Sequence, residues 1–133
     1  GRLQTVRRFK DSIAALEGQV VLDYQQRLRE RIQQLLGDDV VVDETRLANE
    51  VAYFADRASI TEELVRLDSH LKQCEQLLKS DGPVGRKLDF LVQEMNREIN
   101  TVGAKANHLE IAQAVIEIKS ELEKIREQVQ NIE

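Results

Sequence analysis

The 133-residue sequence has few of the residues that interrupt helices or that build β-rich cores. It contains one proline, six glycines and no tryptophan, and aromatic residues make up only 4% of the chain. Charged residues, by contrast, make up 32%. Scarce turn-forming residues together with high charge are typical of long solvated helices, so the composition favours an all-α protein.

The single cysteine and the lack of long apolar runs exclude several classes of protein. Cys74 has no second cysteine for an intrachain disulfide, and no Cys/His cluster indicates a structural zinc site. No apolar run approaches the roughly 20 residues that span a bilayer, and no signal peptide opens the chain. We therefore expect a cytoplasmic helical protein. Because the chain has no initiator methionine, we also expect it to be part of a longer protein.

Acidic residues outnumber basic ones, 24 to 19, which gives a net charge of −5. This balance argues against a generally basic nucleic-acid coat. Basic residues nevertheless outnumber acidic ones in residues 1–35 and 84–105. A local basic surface of this kind can still bind RNA on an acidic protein.

The spacing of apolar residues predicts five helices in a long antiparallel bundle with coiled-coil-like packing. We expect residues 1–43 to form a long N-terminal helix and connector, and residues 44–133 to form a helical domain. The first helix covers 3–36, the second 44–57 after an Asp43 cap, and the fourth 85–102 before Gly103. The third and fifth follow capping boxes at 59–62 and 107–110.

The apolar stripes of these helices are regular enough to name their buried residues. In the first helix the stripe continues to Leu35, and residues 40–42 are expected to pack as an extended segment. The stripe of the fifth helix alternates steps of four and three, which predicts a coiled-coil seam against another helix of this chain or of a neighbour. The predicted buried residues of the third and fifth helices are Leu64, Leu67, Leu71, Cys74, Leu78, Ile111, Val115, Ile118, Leu122, Ile125, Val129 and Ile132.

The fourth helix carries reactive side chains away from its core stripe, which consists of Leu88, Leu91, Val92, Met95, Ile99 and Val102. Glu94 and Glu98 lie one turn apart, so both carboxylates can approach one divalent cation. Alternatively, both are solvated ion-pair partners of Arg97, which lies between them. Phe90 lies opposite the core stripe, and this position indicates a partner surface.

Two histidines and the cysteine have competing interpretations. His70 lies beside the apolar stripe of the third helix, where an imidazole could move protons or be a surface side chain beside Arg66. His108 falls in the cap of the fifth helix, and capping explains it. Cys74 falls within an apolar stripe, so we interpret it as a core residue and not as a nucleophile.

Four stretches of the chain resemble the YicC/YloC family. They are GPVGRKLDFLVQEMNREINT at 82–101, ADR with ITEELVRLDSHL at 55–57 and 60–71, KAN at 105–107, and KIREQVQNIE at 124–133. The resemblance is dense from residue 44 onward and rests mainly on helical character before it. It implies that this chain is the C-terminal part of a bacterial protein whose N-terminal domain is absent here.

The resemblance implies an endoribonuclease that cleaves structured or single-stranded RNA with a divalent metal, Mg²⁺ or Mn²⁺, as a homo-oligomer, in that family a hexamer. A site of this kind needs metal-binding carboxylates, a proton-transfer group and cations for phosphates. The implied catalytic residues are His70, Glu94, Arg97 and Glu98. The implied metal ligands are Glu94 and Glu98, with Glu110 or Glu50, and the implied RNA contacts are Arg86, Lys87, Arg97, Lys105 and Arg126.

Three functions remain open from the sequence. The first is metal-dependent cleavage of RNA, by water attack or by attack of the 2′-hydroxyl. The second is a non-catalytic RNA-binding adaptor, indicated by the basic start of the fourth helix. The third is an oligomerisation module joined through the heptads of the fifth helix. Metal-dependent cleavage separates the first from the others, and RNA affinity separates the second from the third.

Overall fold

The computed structural model describes residues 1–37, 39, 41–80 and 82–132, and of Ile132 only the backbone. Within these residues the chain forms five helices and no strand. The helices are α1 (Arg2–Leu36), α2 (Glu44–Ala58), α3 (Thr61–Leu78), α4 (Gly85–Lys105) and α5 (Leu109–Ile132). The all-α prediction is therefore confirmed. None of the helices found here is both long enough and apolar enough to cross a membrane.

Four of the helices form a ring in which each packs on two neighbours. The contacts join α1 to α3, α3 to α4, α4 to α5 and α5 back to α1, whereas α2 packs mainly on α1. Cross-helix pairs show that neighbours run antiparallel, because low residue numbers on one helix meet high numbers on the next. These pairs are Arg7–Glu75 and Glu17–Thr61, Arg66–Glu98 and Lys105–Glu63, and Arg2–Glu121 and His108–Asp23.

The core lies inside this ring and consists of the predicted stripes. Ile13 of α1 and Leu67 of α3 are fully buried, as are Ile99 of α4 and Ile118 of α5. The six predicted stripe residues of α4 are all buried, and so are those of α5 up to Val129; the side chain of Ile132 lies outside the described residues. The buried seam of α5 therefore faces helices of the same chain. Isolated charged helices depend on such mutual burial for their stability.

The second half of α1 leaves the ring and pairs with α2. Val20 is the last buried residue of α1, and beyond it the Tyr24 and Phe54 rings stack with centroids 3.7 Å apart. Arg29 donates to both carboxylate oxygens of Glu44, at 2.8 and 2.9 Å. Leu35 is exposed, so the prediction that it is buried with the rest of the stripe is wrong. The apolar residues in this part of α1 are therefore only partly buried, against α2, and do not lie in the core.

The start of α2 confirms one predicted cap, and the residues before it correct another prediction. Asp43 accepts hydrogen bonds from the backbone N–H groups of Thr45 and Arg46 at 3.1 and 3.2 Å. Val41 is 91% exposed, so it does not belong to a packing segment. Val40 lies outside the described residues. Val42 is half-buried. An apolar residue that precedes a capped helix does not have to lie in the core.

The start of α3 is not capped by Ser59, contrary to the predicted capping box. Instead, Glu17 of α1 accepts hydrogen bonds from the Ile60 N–H at 3.2 Å and from the Thr61 hydroxyl at 2.9 Å. The first turn of α3 is therefore satisfied by a neighbouring helix. At the other end, Leu78 is 58% exposed, because the ring of helices no longer covers the last turn of α3.

Two further predicted boundaries differ from the structure. Helix α4 continues through Gly103 to Lys105, so Gly103 does not end the helix. A β-carbon at Gly103 would lie 3.4 Å from the Val115 side chain of α5, which is an ordinary van der Waals distance, so the contact between these helices does not require a glycine. At the start of α5, the carbonyl of His108 accepts from the Ala112 N–H at 2.9 Å. Among the described hydrogen bonds, none comes from the predicted cap Asn107.

Candidate functional site

Antiparallel packing of α3 on α4 brings His70, Glu94 and Glu98 together. One ligand atom from each of these side chains lies within 4.8 Å of the others, and this is the sole such group among the described residues. Glu94 and Glu98 come from successive turns of α4, and His70 faces them from the flank of α3. The structure thus joins three of the four residues that the sequence analysis assigns to catalysis.

The three side chains of this cluster are shielded from solvent to different degrees. Glu98 is only 7% exposed, and His70 and Glu94 are half-buried. The Nδ1 atom of His70 is buried and has no hydrogen-bond partner in the described structure. Ligands of one Mg²⁺ lie at most about 4.2 Å apart, so a slight side-chain rotation would bring the three donors onto one ion. The residues present therefore fit a divalent metal.

Arg66 holds Glu98 in place from the side of α3. Its Nε donates to Glu98 Oε1 over 2.9 Å, and this hydrogen bond raises the pKa of Arg66 despite the opposing effect of burial. In the described ion pairs neither Glu94 nor Glu98 contacts Arg97, so the interpretation as pairs within α4 is wrong for this helix. Glu98 is instead paired across helices, because its side of α4 faces α3.

Glu63 extends the charge network and was missed by the sequence analysis. It is nearly fully buried and accepts from Lys105 Nζ over 2.7 Å, with Arg66 3.7 Å away. Burial by itself would raise the pKa of Glu63, but the Lys105 hydrogen bond, a backbone hydrogen bond and the charges of Lys105 and Arg66 outweigh it and lower this pKa. No local pattern indicates this role, because a glutamate in a first helical turn is ordinarily solvated.

A groove adjoins the cluster on the same face of the α3–α4 pair. Its volume is about 530 Å³, and its lining includes Arg86, Lys87 and Phe90 of α4 and Gln73 and Gln76 of α3. Phe90 is 59% exposed. The α4 side chains follow one another at every fourth position, in the order Arg86, Phe90, Glu94 and Glu98. This spacing makes one continuous ridge from the basic end of the groove to the carboxylates.

The remaining predicted site residues do not join this groove. Arg126 lies at the seam of α4 with α5, where its Nε is 3.8 Å from Asp89. Glu110 is exposed at the start of α5, beside Asp23 and His108, so the structure does not bring it to the other two carboxylates. The spacing of residues within one helix does not show which neighbouring helix a residue of another helix faces.

Three other predicted site residues and the single cysteine also lie outside the groove. Arg97 is exposed on the outer side of α4, and Lys105 bonds to Glu63. Glu50 lies on α2, where it accepts from the Tyr24 hydroxyl at 3.3 Å. Cys74 is fully buried, and burial raises the pKa of its thiol to about 11, so it is a core residue as predicted.

Residues 13–133 match the family described as endoribonuclease YicC-like, C-terminal. The chain belongs to this family. A protein of Clostridioides difficile named probable endoribonuclease YicC is 50% identical to it over 132 residues, which are 99% of this chain and 45% of that protein. A protein of Haemophilus influenzae with the same name is 42% identical over 106 residues, covering 79% and 37%. The chain thus spans less than half the length of these curated relatives.

The whole α3–α4 face lies inside the part of the chain that matches the family. The cluster of His70, Glu94 and Glu98 and the groove beside it fall between residues 66 and 105. The family membership expected from the four sequence stretches is therefore confirmed. It supports a nuclease role at the level of the family.

Proposed function

We propose that the α3–α4 face cleaves RNA with a divalent metal held by His70, Glu94 and Glu98. The observation that carries the proposal is the convergence of these three donor groups within 4.8 Å in a chain of an endoribonuclease family. Two relatives are named probable endoribonucleases, which supports RNA as the substrate. The proposal includes metal-dependent RNA cleavage by the whole protein.

The donor set favours Mn²⁺ over Mg²⁺. Mg²⁺ prefers oxygen ligands, whereas Mn²⁺ accepts an imidazole nitrogen together with carboxylates. Held by these three residues, an ion would still have room to bind water and a phosphate oxygen. When bound, the ion supplies positive charge at the phosphate and acidifies nearby water.

The surrounding residues have separate tasks in this proposal. Arg66 orients Glu98 through the 2.9 Å hydrogen bond, and the buried position of Glu98 excludes bulk water. A neutral imidazole has one nitrogen lone pair, so a metal-bound His70 would act as a ligand only, and the proton of the attacking hydroxyl group would pass to solvent. Arg86, Lys87 and Arg97 offset the charge of the flanking phosphates. The attacking group is a water molecule or the 2′-hydroxyl of the RNA, and the product ends distinguish the two.

A non-catalytic RNA-binding role is the second candidate, and one observation favours it. Glu98 already accepts a charged hydrogen bond from Arg66, so this carboxylate has a partner without any metal. In that case the basic groove would bind RNA and the cluster would only stabilise the α3–α4 contact.

Self-association as a homo-oligomer is a further part of the proposal, and light scattering measures it independently of RNA.

The deciding experiment compares Glu94→Gln and His70→Asn with the control Glu110→Gln in the natural full-length protein. Glu110 is an exposed carboxylate outside the cluster, so its replacement removes a charge without removing a ligand. We expect the two cluster variants to lose at least about 100-fold in Mn²⁺-dependent cleavage, and Glu110→Gln to keep it. Full cleavage by both cluster variants, or an equal loss in the control, would overturn the proposal.

A further inference from the structure

Phe90 is a large apolar ring placed in solvent beside two cations. It lies 59% exposed on α4, one turn after Arg86 and Lys87, and it lines the groove with Gln73 and Gln76 of α3. None of the ion pairs in the described ranges involves Arg86 or Lys87. An aromatic face flanked by cations and by amide side chains is the composition of a nucleic-acid stacking site.

We propose that Phe90 is a base-stacking residue that selects single-stranded RNA and positions it against the His70–Glu94–Glu98 cluster. This inference rests on the proposed function, because it names the substrate form and the residue that recognises it. In this arrangement a base lies on the Phe90 ring and the backbone phosphates contact Arg86 and Lys87. Gln73 and Gln76 offer donors and acceptors to the edge of the same base.

The preference for a single strand follows from what the ring can reach. In a duplex each base is stacked between its neighbours, so its face is closed to a protein side chain. An unpaired base presents that face, and stacking on an aromatic ring is tolerant of sequence. We therefore expect recognition of strand form and little recognition of base identity.

The position of Phe90 relative to the cluster sets the register of the strand. Phe90 and Glu94 are four residues apart on one helix, which places them about 6 Å apart along its axis. One nucleotide of an extended strand covers a comparable length. A base held on Phe90 thus brings the next phosphate along the strand to the carboxylates, so Phe90 acts as a positioning residue.

A partner protein could also cover an exposed phenylalanine, but the charges favour RNA. The groove is basic on a chain whose net charge is −5, so its positive charge is local. A polyanion is attracted to such a patch by displacing the counterions of its phosphates. A protein partner would not require this local positive charge.

The experiment measures binding of this chain to a single-stranded oligoribonucleotide of about ten nucleotides that carries 2-aminopurine, and to the matching duplex. EDTA is present, so that no divalent metal contributes. The variants are Phe90→Ala, Phe90→Trp and the control Ile116→Ala, which removes an apolar side chain that is 64% exposed on α5. We expect Phe90→Ala to weaken single-strand binding about tenfold and to lose the fluorescence quenching that reports stacking. Phe90→Trp and Ile116→Ala keep both, and duplex binding is unchanged in all variants.

Several results would overturn this inference. The unmodified chain does not bind the single strand, Phe90→Ala binds it as well as the unmodified chain does, or Phe90→Ala loses affinity for the single strand and the duplex equally. A change of molecular mass in Phe90→Ala with unchanged RNA binding would instead assign Phe90 to a protein contact. Because binding is measured without metal, a failure of the Phe90 inference can be distinguished from a failure of the cleavage proposal, which the His70 and Glu94 variants test.

Discussion

Arg66 on α3 donates from Nε to Oε1 of Glu98 on α4 over 2.9 Å, which joins an exposed side of one helix to a buried carboxylate of the next. The same carboxylate belongs to the cluster with His70 and Glu94. Glu98 therefore has two candidate partners, a guanidinium and a metal ion. Competition between them can be measured.

We expect Arg66→Ala to lower the melting temperature of the metal-free chain, because it leaves Glu98 buried without its charged partner. Mn²⁺ should then raise the melting temperature of this variant more than that of the unmodified chain, since the ion replaces the lost positive charge. Thermal unfolding with and without Mn²⁺ measures both effects. The control is Arg97→Ala, which removes an exposed arginine from the outer side of α4. Equal Mn²⁺ shifts in all three proteins would contradict Glu98 as a ligand.

Asp68→Asn should lower the free energy of unfolding by about 1 kcal/mol at neutral pH. Hydrogen bonds from Lys10, Lys72 and Arg7, with the charge of Lys10, hold the pKa of Asp68 well below its ordinary value of 3.8 against the effect of burial. A lowered pKa in the folded state stabilises the protein above the unfolded pKa, and this contribution disappears as the pH falls through the folded value.

The pH dependence of that variant provides the check. Urea unfolding should give a constant difference between Asp68→Asn and the unmodified chain from about pH 7 to pH 5, and a shrinking one below about pH 4. Asp56→Asn on α2 is the matched control, because Asp56 is exposed and forms none of the described ion pairs. A difference that does not change on acidification would mean that Asp68 is not stabilised by its cations.

Glu17→Ala should destabilise the chain by about 1 kcal/mol, because Glu17 accepts the hydrogen bonds that begin α3. Ser59→Ala, at the cap position that the sequence predicts, should change stability by less than about 0.5 kcal/mol. Chemical unfolding of both variants measures the difference. If Ser59→Ala costs as much as Glu17→Ala, the capping box forms after all in solution.

Leu71→Ala and Leu78→Ala should differ widely although both positions belong to the same apolar stripe of α3. Leu71 is fully buried, so its truncation leaves a cavity and should cost about 3 kcal/mol. Leu78 is 58% exposed, and we expect less than about 1 kcal/mol there. Equal losses in urea unfolding would show that the last turn of α3 is covered in solution.

The helices and their buried faces could be predicted because they depend on local spacing. The stripe residues Leu88, Met95 and Ile99 are buried as the 3.6-residue period of a helix requires. The prediction was wrong at Leu35 and Leu78, where the stripe continues but no neighbouring helix reaches it. Periodicity reports which side of a helix is apolar, and it contains no information on how far the neighbours extend.

The candidate site was predictable in part for the same reason. Glu94 and Glu98 are one turn apart in the sequence, so their proximity is a property of α4 alone. That His70 meets them depends on the axial shift between α3 and α4. Glu63 was missed, and Glu110 does not join the cluster, because burial and distance across seams follow from packing.

The amino-acid sequence by itself determined that this chain is a set of long amphipathic helices and which side of each helix is buried, because helical period and apolar spacing are local properties. Tertiary structure decided which helices are neighbours, which side chain of α1 caps α3, and that Arg66 and His70 face the carboxylates of α4. These relations join residues far apart in the chain. They arise only when the apolar stripes are buried together and the polar flanks beside them are brought into contact.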